Sequence, residues 1–283
     1  MTVALALMAA TVYGLAVAAQ FSQAAAADAK DSLRPRLLIG LVVRPVWLLG
    51  LVGDMGGFAL QTAALATGSL VVVQPILTLS LVVSLPVGAR LQRRSLRRWE
   101  WLAIAGTVGG LAVFYLAARP TAHSHASASR NDWMALLVVV TAIIGISLAS
   151  GRMTAGVPRA MLFGLAAATA EAMMAVTSEA FGDRLGAGVW STFRSWQPYG
   201  VAVCGVITLL LVQSAYQVGL ATATLPTLTV AEPIIATTIG IALFGERLHI
   251  GGWRGPMALA SLAVTTHSLV LIARRSATSS STT

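Results

Sequence analysis

Apolar runs of about 20 residues recur from one end of the chain to the other, separated by short segments rich in arginine, glycine and proline. A run of that length is what a helix needs to cross the hydrocarbon core of a bilayer. Reading the runs between charged or turn-forming residues predicts nine helices, near residues 2–21, 37–62, 67–89, 99–118, 133–150, 158–181, 198–218, 221–244 and 252–273. They leave no stretch for a soluble domain, so the expected fold is an all-α polytopic membrane protein. The first run, VALALMAATVYGLAVAAQF, lacks the basic start of a signal peptide and is long enough to span, so it is read as a membrane helix.

Composition agrees with this pattern. Of the 283 residues 57% are hydrophobic and 10% charged, with a mean hydropathy of +0.80, whereas soluble domains carry roughly 25% charged residues. The net charge of +9 does not point to nucleic acid, because the basic residues sit in short loops and form no continuous stripe. With the N-terminus outside, the inner segments hold twelve basic residues, among them Lys30, Arg34, Arg36, Arg152 and Arg159 and the cluster RLQRRSLRRWEW, and the outer loops hold six. The excess predicts N-out, C-in topology. One lysine against eighteen arginines, with abundant alanine, points to a GC-rich bacterial genome and hence to the bacterial plasma (inner) membrane. The lone Cys204 reads as a small core residue.

Two segments of the chain match one another. LATGSLVVVQPILTL…PVGARL, Leu65 to Leu91, and LATATLPTLTVAEPIIAT…LFGERL, Leu220 to Leu248, each run LAT, then a polar residue and proline (Gln74-Pro75, Glu232-Pro233), then Gly-X-Arg-Leu. Five predicted spans separate each helix from its counterpart, and an odd separation reverses direction through the membrane. Two halves of opposite topology around a central site are the design of many secondary transporters. The chain is accordingly divided into an N-terminal repeat of four helices (1–118), a linker loop (119–132), a C-terminal repeat of five helices (133–273) and a disordered polar tail (274–283).

These residues resemble the drug/metabolite transporter superfamily. AEPIIATTIGIALFGERL is similar to the Glu-Pro and Gly-Glu-Arg-Leu signature in the second half of EamA-type members, and VQPILTL…GARL to its partner in the first. The resemblance implies two inverted halves, usually of five helices each, where this chain has four plus five. A nine-helix layout, with GDMGGFALQTAALATGSLVVVQP in the first half, is also similar to NIPA-type proteins, a branch linked to magnesium transport. Ala89 stands where the first Gly-Glu-Arg-Leu has glutamate, and the Glu232-Pro233 pair is closer to metabolite exporters than to NIPA proteins.

Ionisable groups inside spans are costly and normally face protein or a water-filled cavity. Glu232 is the deepest, about eleven residues into the eighth span, and Pro233 beside it removes a backbone donor and is expected to kink the helix. Such a carboxylate can bind a proton, a cation or a substrate amine, or it can hold the kink by hydrogen bonding. Its repeat partner Gln74, followed by Pro75, cannot titrate, so coupling to protons would be asymmetric between the halves. Glu171 lies about as deep in the sixth span. Asp54 is flanked by glycines in the second, and Arg44 in the same span reads as snorkelling to the interface. Gln213, Tyr216 and Gln217 share a helical face and, with Gln61, either line a polar path or bond helix to helix. Glu179 and Asp183, near a helix end, read as solvated. His267 reads as a packed histidine, and His123 and His125 as too isolated to make a metal site.

No phosphate loop, nucleophile triad or metal-ligand cluster is present, so no enzyme activity and no cofactor are expected. The expectation is a secondary carrier that exports a small organic solute by alternating access around Glu232, Pro233, Glu171 and Gln74, with proton coupling as an option. The alternatives are a magnesium transporter using Asp54, Glu171 and Glu232 as oxygen ligands, and a non-transporting scaffold or sensor. The bilayer and the solute are the expected partners, and small-residue helix faces are compatible with a homodimer.

Overall fold

The computed structural model describes residues 1–67, 73, 76–91, 93, 95–118, 129–186, 189–244, 251–261, 263–265 and 267–268. Most of the linker loop with His123 and His125, the repeat residues Gln74 and Pro75, and the tail lie outside the described residues, as do the side chains of Glu179 and Asp183. All regular structure among the described residues is helical. The helices are α1 Thr2–Ala25, α2 Pro35–Val42, α3 Pro45–Thr67, α4 Ser80–Leu91, α5 Arg98–Ala118, α6 Arg130–Arg152, α7 Gly156–Gly186, α8 Val189–Phe193, α9 Gln197–Gln217 and α10 Ala221–Phe244. Residues 254–261, 263–265 and 267–268 are also helical.

Five of these are long and apolar enough to cross a bilayer: α1, α6, α7 over Gly156–Ser178, α9, and α10 over Ala221–Leu243. The predicted second span, 37–62, is not one straight helix. It is broken into α2 and α3, which meet at a bend of 97° and together make a sixth candidate span. The cause is local. Pro45 has no N–H to continue the α2 ladder, and it restricts the backbone of Arg44 before it. Arg44 does not reach outward from this break; its Nη1 donates to the Gln23 carbonyl at 2.7 Å, satisfying the last turn of α1.

The packing falls into two groups. In the first half α1 packs against α3 and α4; in the second α7 packs against α6, α9 and α10. The α1–α3 contact is built from small residues. A Cβ at Gly50 would lie 2.7 Å from Gln20 Cγ, and one at Gly57 would lie 2.9 Å from Tyr13 Cδ1, so only glycine lets the two backbones come this close. The halves meet where α1 touches α9 and α4 touches α10, and where Leu111, Phe114 and Ala117 of α5 pack on Ala258. Large apolar side chains such as Leu49, Val52 and Phe58 of α3 and Val138 and Val139 of α6 lie exposed on the outside of the bundle. That is the surface a lipid solvent accepts.

Candidate functional site

A cavity of about 380 Å³ lies between the two halves. The first half contributes Tyr13 and Val17 of α1, Gln61 of α3, and Ser80 and Ser84 of α4 with the preceding Thr78. The second contributes Glu171 and Ala175 of α7, Tyr216 of α9, and Leu228, Thr229, Glu232 and Pro233 of α10. Glu171 and Glu232, which the sequence places on different spans, therefore line the same space, and Pro233 lines it beside them.

Several local bonds shape the walls. Tyr13 Oη donates to Gln61 Oε1 at 2.9 Å, fixing α1 to α3 at the cavity edge. The α10 helix runs unbroken through Pro226 and Pro233. Pro233 lacks the N–H that would bond the Thr229 carbonyl four residues earlier. The Thr229 hydroxyl itself donates back to the Leu225 carbonyl at 2.9 Å.

Asp54 is not among the residues lining the cavity. Gln20 Nε2 donates to its Oδ2. Gln20 in turn accepts at Oε1 from Gln213 Nε2 at 2.6 Å, and Gln213 accepts at Oε1 from Trp47 Nε1 at 3.0 Å. Trp47 and Gln213 are fully buried and Gln20 nearly so. Of the two roles the sequence left open for Gln213, bonding helix to helix is the one it fills. Gln217 lies elsewhere, at the end of the bundle, where its Nε2 donates to the Asp28 carbonyl. It helps to line a second cavity of about 240 Å³ with Ser32, Arg159 and Leu220. Close by, the Leu33 amide donates to Ser214 Oγ at 3.1 Å, and the Phe21 and Tyr216 rings lie 5.6 Å apart. The last two turns of α9 are thus fastened to α1 and the loop after it. His267 is exposed.

Tyr13, Gln20, Trp47, Ser84 and Thr229 were not singled out from sequence. A polar residue inside an apolar span is a usable signal, and it would have found Gln20 and Tyr13. Serine and threonine bond within their own helix so often that theirs carries little information. Among the described residues no three His, Cys, Asp or Glu side chains gather closely enough to hold a metal ion.

No family profile matches the chain. It is similar to an uncharacterized protein of Corynebacterium glutamicum, 29% identical over 249 residues, which cover 87% of this chain and 85% of that one. No solved structure matches.

Proposed function

We propose that the chain is a secondary carrier of the drug/metabolite type, moving a small organic solute across the bacterial plasma membrane by alternating access between two inverted repeats. The observation that carries this reading is the make-up of the cavity wall. Tyr13 and Glu171 both line it, as do Val17 and Ala175, and each pair is separated by 158 residues. That is also the separation of Gln74 from Glu232 in the matched segments. Gln61 and Tyr216 line it too and are 155 residues apart, the separation of the two LAT motifs.

The packing supports the same correspondence. The buried Ala9, Ala10 and Gly14 of α1 have Ala167, Ala168 and Ala172 of α7, all buried, at the same separation of 158. Each of these two helices packs against the two that correspond between the halves, α3 and α4 for α1, α9 and α10 for α7. A site between equivalent helices of two repeats is what a rocking mechanism requires, since moving one half against the other exposes the same groups to each side in turn.

The magnesium reading has less in its support. Its third ligand, Asp54, is bonded by Gln20 and is not among the residues that line the cavity with the other two carboxylates. Export, N-out topology and exchange against protons belong to the carrier proposal. Transport in proteoliposomes tests it: wild-type protein moves solute down an imposed gradient, and Glu232→Gln lowers the rate at least tenfold. Equal rates for the two proteins, across the pH range, would remove Glu232 from the mechanism.

A further inference from the structure

We propose that the central cavity takes a protonated amine with an apolar body. This deepens the carrier reading and rests on it.

The first argument is charge. Glu171 and Glu232 both line the cavity, and no arginine, lysine or histidine is among its described lining residues. A carboxylate away from bulk water needs a cationic or hydrogen-bonding partner, and the wall supplies no cation to either of these two. An anionic solute would find no described cation on this wall to pair with, whereas an ammonium group would find two carboxyl groups.

The second argument is the direction of the hydrogen bonds. Tyr13 Oη spends its proton on Gln61, at 2.9 Å, and Thr229 Oγ1 spends its proton on the Leu225 carbonyl, also at 2.9 Å. A hydroxyl whose proton is already given away offers only lone pairs to a ligand. With the Glu171 and Glu232 carboxyl groups, these two hydroxyls place acceptors on both halves of the wall, beside the Gln61 amide and the remaining hydroxyls. An amine N–H⁺ group supplies donors to match; an alcohol supplies one and a carboxylate none.

The third argument is size and apolar lining. A volume of about 380 Å³ falls in the range of roughly 300–1,000 Å³ typical of organic ligands. A magnesium ion held at about 2.1 Å by six oxygens needs a far smaller cage. Val17, Leu77, Leu225, Leu228 and the tyrosine rings of residues 13 and 216 supply apolar surface to the wall. They suit an apolar body, and tyrosine rings attract a cation.

The test uses the full chain in lipid nanodiscs and four compounds matched in shape: 2-phenylethylamine, its N-trimethylated quaternary form, 2-phenylethanol and 3-phenylpropionate. At neutral pH they carry one positive charge with donors, one without donors, no charge, and one negative charge. The amine is expected to bind at least tenfold more tightly than the alcohol, the quaternary form between the two, and the carboxylate most weakly. Glu171→Gln and Glu232→Gln are each expected to weaken the amine at least tenfold and to leave the alcohol unchanged. If either variant fails to fold, the compound series on the unaltered protein decides alone.

The proposal is overturned if the alcohol or carboxylate binds as well as the amine, if none of the four binds, if the folded glutamine variants keep full amine affinity, or if magnesium at equal concentration displaces the amine. Vesicle uptake separates this proposal from the carrier reading. An amine that binds but is not carried leaves the ligand class standing and removes the carrier; equal carriage of amine and carboxylate does the reverse.

Discussion

Gln213 Nε2 donates to Gln20 Oε1 at 2.6 Å, a bond between residues 193 positions apart that joins α9 of the second half to α1 of the first. It is the middle link of the chain Trp47, Gln213, Gln20, Asp54, so removing either glutamine strands a buried group at each side. Gln20→Leu and Gln213→Leu are each expected to lower stability by about 1–3 kcal/mol. The double variant should fall short of their sum by about 1 kcal/mol, the coupling of one interhelical bond in a membrane. Thermal melts of the four proteins in one detergent give the cycle, and additive losses would show that the bond carries no coupling.

Two adjacent glycines of α3 should respond very differently to a side chain. A Cβ at Gly57 falls 2.9 Å from the Tyr13 ring, while one at Gly56 meets nothing nearer than Val12 Cγ1 at 3.9 Å. Gly57→Leu is expected to push Tyr13 off Gln61, narrow the cavity and reduce ligand binding at least tenfold. Gly56→Leu should leave binding within twofold. The comparison is read by equilibrium binding of 2-phenylethylamine, and equal effects at the two positions would refute the packing argument.

Water access to the cavity can be read with cysteines. Cys204 is the one native cysteine and is replaced by serine to clear the background. Ala175 lines the cavity, and Ala168 on the same helix is fully buried. Cysteine at 175 should react with a membrane-impermeant thiol reagent at least ten times faster than cysteine at 168. The bound amine should slow the reaction at 175.

The start of α6 is held by a reciprocal pair. Asp132 N donates to Ser129 Oγ at 3.3 Å, and Ser129 N donates to Asp132 Oδ2 at 2.9 Å. Ser129→Ala removes the side-chain acceptor. Hydrogen exchange should speed up severalfold in the first turn of α6 and remain unchanged beyond residue 140. Unchanged exchange at 130–133 would mean the cap contributes nothing in the membrane.

How far the site could be read from the chain depended on the kind of group. Glu171 and Glu232 stand out because a carboxylate in an apolar run is costly, and that cost is visible in one dimension. Asp54 stood out for the same reason, yet it is tied to Gln20 and does not line the cavity. Its neighbour on α1 is 34 residues away, and nothing in the α3 pattern reveals it. The bend between α2 and α3 was written in the Arg44-Pro45 pair, but the apolar pattern on either side hid it, because hydropathy counts residues without following the backbone.

The sequence alone determined that this is a chain of apolar helices, where most of them begin and end, which segments match across the chain, and which carboxylates stand inside apolar runs. Those properties depend on run length, charge and local spacing, which neighbours along the chain decide. Only the tertiary structure decided that Glu171 and Glu232 share one cavity while Asp54 and Gln213 belong to a hydrogen-bonded tie between α1, α3 and α9. In a bilayer both the outside and the inside of a bundle are apolar, so periodicity marks a helix without marking the face it turns inward. That face is set by the close approach of small residues and by partners far away in sequence.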